Sequence, residues 1–389
     1  MNKLLITSLS ASLLSGCIDL DNDDSRTAPL ENAVIITVNS DFSSSDLVAV
    51  NNEYESYETL TPQAFSDVVF SKGESSLYVI NRSGQNNIIK YDQEFMGYIE
   101  WQYSTNNPDI ANQESNPYQI IEKSEESAFV LRYNTGEIWE VDTTAESDVD
   151  FKIAEIDLSV FDADGTPDMV AGTIYNGILY VALQRLTSYN ADQASYLVAF
   201  DTNNNNTAFD LSPNDDSTTA MELSVRNPKE LEIIGNELYI AAVGRYAVSD
   251  WNTGEVLEEI QYVGGIEKIN LDTLESEVLV DDGDQDSHPY GQVYSVSVFD
   301  KDLVFTGYNF WGSLNTYIQS GNNAPVTFDE NINGLDIRFA KFDAVGQLWV
   351  GIGDAANPRT LVYTKNESDE YEISQTVLTT LLPNSILFK

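Results

Sequence analysis

Cysteine and histidine are almost missing from this chain of 389 residues: each occurs once, as Cys17 and His288. A single cysteine excludes an internal disulfide framework. A single histidine leaves little material for a histidine-centred catalytic triad, a His-rich metal site or a haem ligand pair. His288 precedes Pro289 and reads as a loop residue. Basic residues are also scarce, 19 Lys and Arg against 63 Asp and Glu, for a net charge of −44. Such a charge repels phosphate backbones and anionic head groups, which excludes nucleic acid as a partner and favours a soluble monomer. Neither Gly-x-Ser-x-Gly nor a phosphate-binding glycine loop is present. No long segment carries a 3.6-residue apolar period, so helices should be few. Disorder, the other reading of so acidic a chain, is opposed by 42% hydrophobic and 11% aromatic residues,.

The first residues have their own grammar. Met1-Asn2-Lys3 is a short basic start, Leu4 to Leu14 is mostly apolar, and Leu14-Ser15-Gly16-Cys17 follows. The order is that of a signal peptide, and the apolar run is too short for a permanent span, which needs about 20 residues. Leu-Ser-Gly-Cys resembles the lipobox of bacterial lipoprotein precursors. The resemblance implies cleavage after residue 16, lipidation of Cys17 and, with Ile18 rather than aspartate next, an outer-membrane lipoprotein facing the periplasm or the surface. Contact with the membrane would be through the lipid alone. Residues 17–32 are rich in Asp, Asn, Ser and Thr and are expected to be a flexible tether.

Residues 33–389 repeat one pattern. Leu77-Tyr78-Val79-Ile80-Asn81-Arg82, a polar turn, then Ile88-Ile89-Lys90-Tyr91-Asp92 reads as strand, turn, strand. Copies begin at Ile35, Ala128, Leu179, Leu238, Leu303 and Leu348. Their spacing, roughly 40 to 65 residues, suits a four-stranded propeller blade plus insertions. A further strand precedes most anchors, often after a proline: Pro117, Pro167, Pro228 and Pro289. Proline is tolerated at the start of a strand, where its missing N–H is not needed. Seven anchors imply an all-β, seven-bladed β-propeller. The first anchor lacks a preceding strand while Asn384 to Phe388 lacks a partner, so the first blade should be closed by strands from both chain ends, which removes the open edge.

Tyr78 to Asn81 with Tyr91-Asp92, and less closely Phe129 to Asp142, resembles the repeat of the YVTN family of seven-bladed propellers. That resemblance implies the fold, and two kinds of activity: ligand-binding surface lipoproteins, some partnered with outer-membrane transporters, and lactonase-like enzymes.

Site candidates follow from position. Arg82, Arg132, Arg185 and Arg245 each come just after the second strand of a blade, in four consecutive blades, although the chain has only eight arginines. In a propeller that turn lies on a face where the channel opens, so at least two are expected at its mouth. Tyr308, Asn309, Trp311 and Asp354 occupy matching places in later blades. Guanidinium forks with aromatic faces suit an anionic or oxygen-rich small ligand. Two acidic loops, Asp162 to Asp168 and Asp281 to Asp286, carry carboxylates beside a glycine as Ca²⁺ loops do. Among 63 acids they read more readily as solvated loops. Three functions stay open: a ligand- or partner-binding propeller without catalysis, a metal-dependent hydrolase or lactonase, and a scaffold recruiting an envelope protein.

Overall fold

The computed structural model describes residues 30–58, 65–93, 98–215, 217–250, 252–308 and 314–389. Cys17, the signal segment and most of the expected tether lie outside them. Seven antiparallel sheets form the body, each of four strands in the main, one of them with an extra short strand at its side. A four-residue helix, Asp148–Phe151, and a short 3₁₀ turn are the helical elements among the described residues.

The anchor segments are the second strands of their blades. Ser76–Asn81 and Ala33–Val38 are buried at every position. A blade packs against neighbours on both faces, so its middle strands are apolar throughout rather than alternating. The outermost strands meet solvent: Lys152–Asp157 keeps one buried residue, Ile156. The apolar core is accordingly divided into seven clusters, one at each interface between blades. Phe129, Leu131 and Ile138 of blade 3 meet Leu179, Val181 and Val198 of blade 4. Trp349 and Val362 of blade 7 meet Ile35, Val48 and Val50 of blade 1.

Closure occurs as the repeat count implies. Leu382–Phe388 is the innermost strand of blade 1 and pairs antiparallel with Ala33–Val38, from Ala33 opposite Phe388 to Val38 opposite Leu382. The propeller begins slightly before residue 33. Leu30 is fully buried and its N–H donates to the Gln93 carbonyl, while Asn32 bonds to Val50. The expected tether therefore gives up its last three residues, because Leu30 has a socket between blades 1 and 2.

The innermost strands leave one edge unpaired toward the channel, and buried backbone groups there need partners. Side chains of the adjacent inner strand supply several. Ser71 Oγ accepts from Ile120 N at 3.2 Å. Gln119 accepts from Gly172 N at 2.7 Å and donates to its carbonyl at 3.1 Å. Glu230 and Glu232 accept from Val296 N and Val298 N. Ser297 Oγ accepts from Phe342 N at 3.0 Å.

Candidate functional site at the channel mouth

A single irregularity recurs at the start of the inner strands. Pro117 faces Arg132 and Gln119 faces Leu131, leaving Tyr118 as an extra residue. The same register shift leaves out Val170 in blade 4, Lys229 in blade 5, Tyr294 in blade 6 and Arg338 in blade 7. Asn384 is left out in blade 1. Only the inner strand of blade 2, Val68–Lys72, pairs without a shift. A β-bulge turns its extra side chain out of the alternation of the strand. Repetition at one end of the inner strands thus aims Tyr118, Lys229, Tyr294 and Arg338 at one mouth of the channel.

Around them the second-strand turns add further groups. Tyr133 stacks on Tyr118 with centroids 4.5 Å apart, and its hydroxyl donates to Gln184 Oε1 at 2.8 Å. Gln184 passes on a hydrogen bond to the Pro228 carbonyl, at 2.8 Å, next to Lys229. The Lys229 ammonium lies 5.7 Å from the Tyr246 ring centre. Tyr294 and Tyr308 meet edge to face at 5.9 Å. Burial raises the phenol pKa of Tyr118, Tyr133, Tyr246 and Tyr294, so all four remain neutral donors.

Two ionisable groups at the mouth are displaced toward neutrality. Burial, helped by the nearby Arg82 charge, pulls the Lys229 ammonium down to about 8. Burial raises Asp168 to about 6, with the Asp164 and Asp162 charges adding to it, against the Leu186 N–H that donates to its carboxylate at 2.7 Å. Among the described residues Lys229 takes part in no hydrogen bond and no ion pair. In a chain with 63 carboxylates an inward-facing lysine without one is an exception that needs a reason,.

The four expected arginines part company. Arg82 belongs to the mouth: it is held by Asp67, with Nε donating at 2.6 Å, and its guanidinium lies 4.6 Å above the Tyr118 ring. Arg132 does not. It is 1% exposed, packs 3.9 Å over Trp139, and donates to Thr105 O at 2.9 Å, Gln113 Oε1 at 3.0 Å and Glu137 at 3.3 Å. Arg185 donates to the Phe161 and Ala194 carbonyls at 2.7 and 2.8 Å and lies 3.8 Å over Tyr196. Arg245 is buried and paired with Asp192 and Glu258, fastening the hairpin of Val248–Ser249 with Val256–Glu258. These three clamp turns between strands, which corrects the expectation of an arginine ring. The physical reason is turn length: each arginine leaves its second strand at a different offset, so the side chains diverge.

Tyr308 reaches the mouth through Tyr294. Asp354 faces Arg359 at 3.8 Å and accepts from Ala356 N at 3.0 Å. Asn309 and Trp311 lie outside the described residues. Arg338 is paired with Asp336 at 2.6 Å, and a Cβ on Gly353 would come within 2.6 Å of both groups, so glycine there makes room for the pair. The residues missed by sequence reading, Tyr118, Lys229 and Tyr294, had one signal available: two of them directly follow a strand-opening proline.

Among the described residues no three His, Cys, Asp or Glu gather as a metal site. In the acidic loops Asp164 accepts from Thr166 N and Asp284 from Asp286 N and Ser287 N, while Asp282 is fully buried against Gly264 N. Asp164 and Asp284 thus brace their own turns, and Asp282 ties its loop to Gly264.

No family model matches the sequence, and no curated protein does. Solved structures do match in fold. A "putative 6-phosphogluconolactonase" of Bacteroides uniformis aligns over 92% of this chain and 100% of its own, at 13% identity and a TM-score of 0.59. A quinoprotein alcohol dehydrogenase-like protein of Bacteroides thetaiotaomicron covers 91% of this chain and 78% of its own, at 13% identity and a TM-score of 0.54. Virginiamycin B lyase of Staphylococcus aureus covers 82% and 92%, at 16% identity and a TM-score of 0.50. Identities this low establish a shared architecture. The chain is a seven-bladed β-propeller whose structural neighbours are lactonase-like, dehydrogenase-like and lyase proteins.

Proposed function

We propose that this chain is a lipid-anchored protein of the bacterial envelope whose propeller binds a small anionic, oxygen-rich ligand at the bulged mouth of its channel. The observation that carries the reading is Lys229, an inward-aimed amine with no hydrogen bond or ion pair among the described residues of a strongly acidic protein. A site that keeps a cation unpaired lowers the desolvation cost of an incoming anion and supplies its first charge-assisted hydrogen bond. Arg82 offers the second cationic contact, its spare guanidinium N–H groups lying over Tyr118. Tyr118, Tyr133, Tyr246 and Tyr294 supply neutral donors and flat apolar walls, the lining expected of a small-molecule site.

The test is calorimetric titration at low salt with citrate and inorganic phosphate, on the parent and on Lys229→Met. Binding by the parent that weakens at least tenfold in the variant is expected, in line with the loss of about 1.5 to 3 kcal/mol for a hydrogen bond to a charged group. Equal binding by the two proteins would remove Lys229 from the site. Anchoring has its own test: Cys17→Ser is expected to abolish labelling by a palmitate analogue and to release the protein from membranes. Continued labelling would overturn the lipoprotein assignment.

A lactone hydrolase is the second reading, favoured by the neighbour described as a "putative 6-phosphogluconolactonase". Turnover of sugar lactones that disappears with chelation and returns with a divalent cation would establish it.

A further inference from the structure

We propose that Lys229 is a nucleophilic amine that condenses with the carbonyl group of a small 2-oxo acid or aldehyde acid bound at the channel mouth, with Asp168 carrying the proton. This inference rests on the mouth being the binding site and adds a covalent step to it.

Three observations bear on it. The bulge at Lys229 takes the amine out of the strand alternation and away from Glu230, the next residue, which is committed elsewhere: its carboxylate accepts from Val296 N and pairs with Lys341 at 2.6 Å. The amine is therefore free to react rather than tied in an ion pair. Asp168 stands at the start of the neighbouring inner strand, in a left-handed backbone conformation with φ of 54° that the Leu186 N–H and the Gln184 N–H to its carbonyl help to hold. Its carboxyl and the Lys229 amine feel each other's charge but do not form a salt bridge. Finally, the two groups titrate near neutrality, at about 6 and about 8. At pH 7 the neutral fraction of such an amine exceeds that of an ordinary lysine by roughly two orders of magnitude. A desolvated lysine beside a second cation, here Arg82, is one of the known ways of activating an amine.

The step balances without an outside reagent. The Lys229 nitrogen lone pair attacks the carbonyl carbon, and the C=O π pair moves to oxygen, which takes the proton of the Asp168 carboxyl. The nitrogen, now cationic, returns one proton to the Asp168 carboxylate and leaves a neutral carbinolamine. Asp168 then protonates the hydroxyl, water departs, and the nitrogen lone pair closes the C=N bond. The product is an iminium beside the Asp168 carboxylate, its carboxylate tail within the field of Arg82. Only a carbonyl compound bearing an anionic group uses all three residues.

The experiment uses glyoxylate as probe with cyanoborohydride to fix the imine, followed by peptide mapping. Exposed Lys72 and Lys301 serve as internal references. The expected result is one carboxymethyl group on Lys229, formed at least tenfold faster than on either reference, with a rate that peaks between pH of about 6 and about 8, where neutral amine and protonated Asp168 best coexist, and falls on either side. Asp168→Asn should slow that labelling at least fivefold while leaving glycolate, the analogue without a carbonyl, bound at least as well. The variant tells proton transfer from a merely structural role, because the amide keeps the bond to Leu186 N–H. Labelling of Lys229 no faster than Lys72 overturns the covalent step. If glycolate still binds and requires Lys229, the binding reading survives that result; if glycolate, citrate and phosphate all fail to bind, both fall.

Discussion

Two lysines on inner strands, Lys229 in blade 5 and Lys341 in blade 7, face the same channel and meet opposite fates. Lys341 donates to the Val296 carbonyl at 2.8 Å and sits 2.6 and 3.7 Å from Glu230 and Glu232. Burial opposes its charge, yet the two carboxylates outweigh it and raise its pKa. Lys229 is adjacent to Glu230 in the chain, yet among the described residues it forms no ion pair, and Asp168 is the one carboxylate whose charge it feels. Register separates these two lysines: Lys341, in register, exchanges charge between blades and helps bind the ring together, whereas Lys229, pushed out of register, is left facing the mouth. Charge that is answered within the fold holds the fold. Charge that is left unanswered addresses something outside it.

The largest effect should come from destroying the ring on which both lysines depend. Deleting Asn384 to Phe388 removes most of the Leu382–Phe388 strand that pairs with Ala33–Val38 and opens the interface to blade 2. We expect loss of cooperative unfolding, read by thermal denaturation; a truncated protein melting like the parent would refute closure.

Next is the contrast itself. Lys341→Met leaves Glu230 and Glu232 uncompensated and should cost about 3 kcal/mol in urea unfolding, since removing one partner of a largely buried pair is strongly destabilising. Lys229→Met should cost no stability at neutral pH, because among the described residues the ammonium approaches only the Tyr246 ring, at 5.7 Å, and burial already disfavours its charge,. Similar losses in the two variants would break the comparison.

The arginines extend it to a second layer. Arg132→Ala empties a buried site and strands the Gln113 and Thr105 acceptors, with an expected cost of about 2 to 3 kcal/mol and no effect on ligand,. Arg82→Ala should do the reverse, lowering affinity for citrate while stability shifts by at most about 1 kcal/mol.

The smallest effect is a gain, and it depends on pH. Asp282 is fully buried, and burial lifts its carboxyl from 3.8 to about 7. The folded protein thus holds a proton that the unfolded chain gives up, so this residue's contribution is complete below pH 4 and is lost as pH rises through about 7,. Asp282→Asn keeps the acceptor for Gly264 N and removes the ionisation. It should raise stability by about 1 to 2 kcal/mol at pH 8 and leave it unchanged at pH 4, as measured by unfolding at the two pH values.

What could be read in the sequence was what repeats over several residues. Leu77 to Asn81 and its copies are apolar on both faces, and that continuous run marks the second strand of each blade. The unmatched ends, Ile35 without an inner strand and Ile386 without a partner, were enough to infer closure, and those two residues do pair. Chemistry at the mouth was harder to see because a bulge is a displacement of one residue and has no period. Lys229 looks like any charged residue after a proline until the register from Pro228 to Glu230 is known. The arginines failed for the same reason in reverse: a shared place in the chain, just after the second strand, does not fix a shared direction when the turns differ in length. Arg82 and Arg132 leave equivalent strands, and one overlies Tyr118 while the other is sealed beneath Thr105.

The recurring bulge has a consequence for how such a scaffold can change. A residue outside the ladder contributes little to strand pairing, so exchanging it leaves the hydrogen-bonded sheet intact. Positions 118, 170, 229, 294, 338 and 384 already hold tyrosine, valine, lysine, arginine and asparagine in the same structural role. They form a set of interchangeable sockets around one axis, where selection can rewrite what is recognised while the seven sheets stay as they are.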